Sequence, residues 1–175
     1  VSKWEARTMI KTVVVTGDSR GLGNDIVWHL LQDNEYNVIG VSRNESEEIV
    51  ACREQYPERY SHVEFDLAHP ESIRSLYEES LKPEGPIYGL VNNAAMAYDD
   101  LVTNANVGQL QTMFTVNLIS PILLSKFAIR DMMLNRTEGA LVHVSSVSTS
   151  TGYKGLSMYG ATKGALEAFS LSMAR

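Results

Sequence analysis

Thr12-Val13-Val14-Val15-Thr16-Gly17-Asp18-Ser19-Arg20-Gly21-Leu22-Gly23 is the stretch on which the fold turns. A β-branched run is followed at once by three glycines in G-x-x-x-G-x-G spacing. Next come Leu22, Ile26, Val27, Leu30 and Leu31, apolar positions that share one helical face over Leu22–Leu31. Strand, glycine-rich turn and helix in that order make a cradle for an anion. Glycine permits positive φ and close backbone approach, and a helix N-terminus offers free N–H groups and a partial positive charge. The bland reading is a tight strand–helix connection, and three glycines in this context weigh against it. No Gly-Lys-Ser/Thr follows, so the turn is not a Walker A loop.

Outward from the turn, short apolar runs alternate with helical patterns. Strands are expected at Thr12–Thr16, Asn37–Ser42, Ser61–Phe65, Ile87–Asn92 and Gly139–Ser145. Their near-continuous apolar character suits strands covered on both faces. Helices are expected over Leu22–Leu31, Glu45–Tyr56, Glu71–Leu81 after Pro70, Val107–Leu134 and Ser157–Arg175, with a kink or break near Pro121. This alternation predicts an α/β fold, a doubly wound parallel sheet of Rossmann type. In such folds the glycine turn after the first strand receives the pyrophosphate of a dinucleotide.

Composition bounds the function. With 175 residues, 44% hydrophobic and 21% charged, the chain has the make-up of one soluble globular domain. A net charge of −6 argues against nucleic-acid partners, which want clustered cations. The single cysteine, Cys52, excludes an internal disulfide framework and suits a cytoplasmic, reducing setting. Apolar runs such as Ile10–Thr16 are too short to span a bilayer, and no signal peptide is visible, so no membrane partner is expected. His29, His62, His69 and His143 show no metal-ligand spacing, and His143 reads as a core-edge histidine. Val1–Thr8 lacks pattern before Met9 and reads as a leader, tag or linker.

Chemistry concentrates after the last strand. In Tyr159-Gly160-Ala161-Thr162-Lys163, one helical turn places Tyr159 and Lys163 on one face. A nearby ammonium favours the phenolate, making Tyr159 a usable general acid or base. Alone, Y-x-x-x-K also describes an exposed Tyr–Lys pair; its place in a chain with a dinucleotide turn raises it. Ser146, thirteen residues earlier, stands at a strand end facing the ligand crevice, where a hydroxyl can stabilise a developing alkoxide. Ser145 competes, but alternation along a strand sends the two to opposite faces. Asn117 sits in an apolar helix, where an unpartnered amide is costly. The second strand ends Val41-Ser42-Arg43-Asn44 without the acid that binds a ribose 2′-hydroxyl. Arg43 and Arg20 instead suit a 2′-phosphate, although either also reads as a solvated surface charge. Asn92-Asn93 by itself reads as a left-handed turn.

Together, Thr16-Gly17-x-x-x-Gly21-x-Gly23, Asp66, Asn92-Asn93-Ala94-Ala95, Asn117, Ser146 and Tyr159-x-x-x-Lys163 resemble the short-chain dehydrogenase/reductase family over Lys11–Arg175. The segments around the glycine turn and Tyr159 are close to 3-oxoacyl-acyl carrier protein reductases. The resemblance implies a catalytic set of Asn117, Ser146, Tyr159 and Lys163, with Asn117 holding a water that relays protons to Lys163. It also implies a cofactor site of Thr16, Gly17, Ser19, Arg20, Gly21, Leu22, Gly23, Arg43, Asp66, Leu67, Asn93, Ala94, Ala95, Tyr159 and Lys163. Ala95 stands where the family has glycine. The expected activity is hydride transfer between NADP(H), favoured over NAD(H), and a small carbonyl or alcohol, with a 3-oxoacyl thioester as one candidate. The rivals are a non-catalytic dinucleotide-binding sensor or scaffold and a sugar-nucleotide epimerase or dehydratase, which the glycine spacing disfavours. A homodimer or homotetramer is expected through the helices Val107–Leu134 and Ser157–Arg175. In the family the last strands and substrate lid follow the Tyr–Lys helix. Residues 9–175 are therefore expected to be an NAD(P)-binding Rossmann domain lacking its C-terminal part.

Overall fold

β-branched runs separated by helical connections leave one economical solution, in which every strand points the same way and each crossover covers a sheet face. The computed structural model describes residues 10–174 and has this form, so the expected leader over 1–8 lies outside the described residues. Strands β1 (Lys11–Thr16), β2 (Tyr36–Ser42), β3 (Tyr60–Glu64), β4 (Ile87–Asn92) and β5 (Ala140–His143) form one parallel sheet. Their order is β3-β2-β1-β4-β5. Val13 lies opposite Val38 on one side and Gly89 on the other. The order reverses between β1 and β4, which places a crevice beyond their carboxyl ends.

Strand alternation sorts the core into two layers. Val13, Val15 and Val38 pack with Val27 and Leu31 of α1 (Gly21–Gln32) and with Ile49 and Cys52 of α2 (Glu47–Gln55). Val14, Ile39 and Leu90 face the other way. They meet Ile73 and Leu76 of α3 (Ile73–Leu76), which a π turn continues over Tyr77–Leu81. Also on that side lie Leu124, Ala128 and Met132 of α5 (Ser120–Asn135). Asp131, buried on α5, accepts from the Tyr77 hydroxyl and the Ile87 amide, both at 2.8 Å, and so pins α3 and the start of β4. Burial and this bond push the Tyr77 phenol up to about 12.

Several boundaries differ from expectation for identifiable reasons. The second helix starts at Glu47 because Ser46 caps it, accepting from the Ile49 amide. The stretch Glu71–Leu81 is not one regular helix: a 3-10 turn (Pro70–Ser72) precedes α3 and the π turn follows it. The break expected near Pro121 is a second π turn, Thr115–Ile119, between α4 (Val107–Phe114) and α5. Proline has no N–H to give the Asn117 carbonyl four residues back, so the ladder must widen there. Taken together, Val107–Asn135 is a 29-residue run long and apolar enough to cross a membrane by length and composition, unlike the shorter runs weighed in the sequence. In this fold its inner side packs on the sheet. The fifth strand is four residues rather than seven, and Val142 is 50% exposed, because β5 is the sheet edge. Asn92 and Asn93 are not left-handed, since Arg136 is the one non-glycine residue with positive φ among those described. Asn92 completes β4 instead, with its amide near Ser125 and His143.

Candidate functional site

The glycine turn is shaped by contacts that exclude side chains. Gly17 and Gly21 have φ of +74° and +55°. A methyl group on Gly23 would lie 2.1 Å from the Gly17 carbonyl oxygen, and one on Gly17 would lie 2.9 Å from Ala94 Cα. Arg20, at the N-cap of α1, makes no side-chain cap, so the first amides of that helix are free of protein partners at their open end. A glycine cradle opening onto uncapped amides fits a dinucleotide pyrophosphate. Gly17, Ser19, Arg20, Gly21, Leu22 and Gly23 make up this turn and the start of α1. Leu22 is exposed beside it.

The turn after β4 is stitched to this cradle. Thr16 Oγ1 accepts from the amides of Asn93 and Ala94, each at 3.1 Å, and Asn93 Nδ2 donates to the Thr16 carbonyl at 2.9 Å. The side chains of Thr16 and Asn93 thus hold the two turns together. Ala95 lacks positive φ, so the backbone there does not demand glycine. Asp66 Oδ1 accepts from the Ala68 amide at 2.9 Å, and the Leu67 carbonyl accepts from the Ser120 hydroxyl at 2.6 Å. Arg20 and Arg43 are both exposed at the carboxyl ends of the neighbouring strands β1 and β2.

Of the four expected catalytic residues, Tyr159 and Lys163 lie on α7 (Ser157–Met173), and Asn117 is joined to it through Thr162. Asn117 is fully buried in the second π turn; its Oδ1 accepts from the Met96 amide and its Nδ2 donates to the Met96 carbonyl, both at 2.8 Å. Nδ2 also donates to Thr162 Oγ1 at 3.1 Å, and that hydroxyl donates to the Tyr159 carbonyl at 2.7 Å. The amide of Asn117 is therefore satisfied, which removes the cost that its apolar setting implied. What remains free of α-helical pairing is its backbone carbonyl, released by Pro121. Lys163 is almost fully buried, lies 5.8 Å from the Tyr159 ring centre and donates to the Val144 carbonyl at 2.7 Å. Burial pushes its ammonium below the ordinary lysine range. Burial, and then the Lys163 charge, push His143 down as well.

Ser146 follows β5. Its hydroxyl accepts from the Ser148 hydroxyl at 2.9 Å and from the Ser148 amide at 3.2 Å, within α6 (Ser148–Thr151) and its lead-in. Ser145 is engaged elsewhere, donating to Glu167 on α7, which also accepts from Thr149 at 3.1 Å. Glu167 lies one helical turn beyond Lys163, and the two hold Ser145 and Val144, the residues just before Ser146. Neither Glu167 nor Thr162 was singled out in the sequence, although spacing of four from Lys163 and three from Tyr159 puts them on the same helical face. Among the described residues no cluster of His, Cys, Asp or Glu could hold a metal.

Comparisons with known proteins agree with this geometry. A family model described as short chain dehydrogenase matches residues 11–175. An uncharacterized oxidoreductase of Saccharomyces cerevisiae is 31% identical over 170 residues, 95% of this chain and 65% of that protein. The 3-oxoacyl-acyl-carrier-protein reductase of Mus musculus is 32% identical over 169 residues, 95% of this chain and 69% of that protein. A short-chain dehydrogenase structure from Streptomyces avermitilis matches with TM-score 0.87 at 27% identity, over 97% of this chain and 61% of that one. The chain thus spans 61% to 69% of the length of these relatives. With the sheet order, the glycine cradle and the α7 network in place, the chain belongs to the short chain dehydrogenase family.

Proposed function

We propose that this chain holds NADP(H) in preference to NAD(H) and serves hydride transfer between the nicotinamide and a carbonyl or alcohol substrate. The observation that carries the reading is the placing of Tyr159 on α7 beside a buried Lys163, with Asn117 tied through Thr162 to the Tyr159 backbone carbonyl and Lys163 tied to the Val144 carbonyl just before Ser146. Hydride donation and acceptance is the chemistry the dinucleotide supplies when bound. The residues of this chain do the rest. Tyr159 gives its hydroxyl proton to the carbonyl oxygen, or takes one from the alcohol. Ser146 donates a hydrogen bond to the same oxygen as charge develops there. Lys163 supplies a desolvated cation beside the Tyr159 ring. The Asn117 carbonyl, left without its helical donor by Pro121, holds the water that returns protons toward Lys163.

The glycine cradle and the first amides of α1 take the pyrophosphate, and Arg20 and Arg43 take the 2′-phosphate. Asp66, Leu67, Ala94 and Ala95 border the rest of the dinucleotide. A 3-oxoacyl thioester is the substrate class suggested by the name of the mouse relative. Exposed Ile119, Met133 and Leu134 near and on α5, and Leu171 on α7, support self-association as a dimer or tetramer. The lone buried thiol of Cys52 supports a reducing, cytoplasmic setting.

The test is NADPH consumption by the purified chain with a reducible ketone, followed by the loss of its absorbance. Ketone-dependent oxidation, faster with NADPH than with NADH, is the expected result. Tightly retained NAD that is unchanged after turnover would point to epimerase chemistry instead.

A further inference from the structure

Asp18 is the one residue of the Gly17–Gly23 turn whose side chain is buried, with no exposure at all, and the proposed chemistry makes no use of it. Its Oδ2 accepts from the Tyr60 hydroxyl at 2.6 Å and lies 3.0 Å from His62 Nδ1, both on β3. Reaching β3 means crossing β2, and the crossing point is Gly40. A methyl group there would sit 1.7 Å from Asp18 Oδ2 and 2.9 Å from the Tyr60 oxygen. A glycine inside a buried strand is costly and marks a close approach, and here it makes room for this one carboxylate. The Asp18 carbonyl in turn accepts from Asn24 of α1 at 3.2 Å. Cys52 and Arg53 of α2 are the other titratable groups near this cluster, and burial pushes the Cys52 thiol up to about 11. Among the described residues, Asp18 Oδ1 and His62 Nε2 are buried without partners.

Filling the space under a turn needs no charge, and burying a carboxylate is expensive unless hydrogen bonds compensate it. We propose that Asp18, held by Tyr60 and His62, is a positioning residue that braces the turn from beneath so that its backbone amides keep the conformation a dinucleotide phosphate requires. The inference rests on the dinucleotide reading above. Asp18 touches no ligand itself; it acts through Gly17 and Ser19 on either side.

The brace is tested on the full chain by two readouts, amide hydrogen exchange of residues 17–23 and the affinities for NADPH and NADH. Losing the carboxylate's contacts with both Tyr60 and His62 in D18A should speed exchange in the turn about tenfold or more and weaken both dinucleotides by about the same factor. Asn at this position keeps an acceptor for Tyr60, so D18N should recover most of both effects. If D18A does not fold, Y60F removes one donor while leaving the ring in the core, and should give a smaller change of the same kind. Unchanged turn exchange in a folded variant overturns the brace. So does faster exchange spread evenly over β1, β2 and β3 with dinucleotide affinity intact, which is the mark of general stability. If the wild-type chain binds neither dinucleotide, the functional reading fails, while the exchange data still decide the brace.

Discussion

Gly23 has no room for a side chain. Its missing methyl would collide with a backbone carbonyl that belongs to the same turn and cannot swing away. Gly23→Ala should therefore cost about 3 kcal/mol of stability, the upper end for forced overpacking. It should also abolish dinucleotide binding, as calorimetric titration of any folded fraction would show. A Gly21→Ala change meets open space and only a φ of +55°, so it should cost about 1 kcal/mol by thermal melting. At this scale the sequence is legible: the glycine spacing alone predicts a tight, side-chain-free turn. The Tyr–Lys spacing likewise announced one shared helical face. What it could not show was which polar side chains are consumed by the scaffold. That Thr16 and Asn93 bind each other's turns could not be read in advance, because a pairing 77 residues apart has no local signature. The burial of Asp18 against β3 lacks a local signature for the same reason, although Gly40 in mid-strand marks the close approach.

Among the elements, the long helix Val107–Asn135 carries the most information. Pro121 made a break predictable, but not that the π turn carries Asn117 into contact with Met96 and Thr162, partners on two other segments. Asn117→Ala would leave the Met96 amide and carbonyl unpaired, at a cost of about 2–3 kcal/mol. It should lower the denaturation midpoint and reduce turnover more than dinucleotide affinity. An Asn117 variant with normal turnover would show that the π turn is only a packing device. Strand β5 illustrates the opposite difficulty. Its residues read as a fully covered seven-residue strand, but at a sheet edge only four pair, and apolar character alone cannot distinguish an edge from a centre.

For the whole molecule, the alternation of runs and helices gave the parallel sheet and its two covered faces, while the strand order β3-β2-β1-β4-β5 is visible only in the structure, because right-handed crossovers are compatible with several orders. Buried tyrosines add a property visible only once the layers are assembled. Burial and bonds to Asp131 and Asp18 raise the Tyr77 phenol to about 12 and the Tyr60 phenol further, from an ordinary 10. The unfolded chain releases these protons near pH 10 while the folded chain keeps them. Stability is thus full below pH 10 and falls as pH rises through 12, by up to about 1.4 kcal/mol per unit for each group. Melting temperatures across that range should show the fall, and Tyr77→Phe should make it shallower. The catalytic claim is tested most directly by Tyr159→Phe, with turnover and NADPH affinity measured on the same preparation. Ketone reduction by the wild-type chain, its loss in the variant and an NADPH affinity within about twofold of the parent are the predicted result; full turnover by the variant would contradict the assignment of Tyr159 as the proton donor.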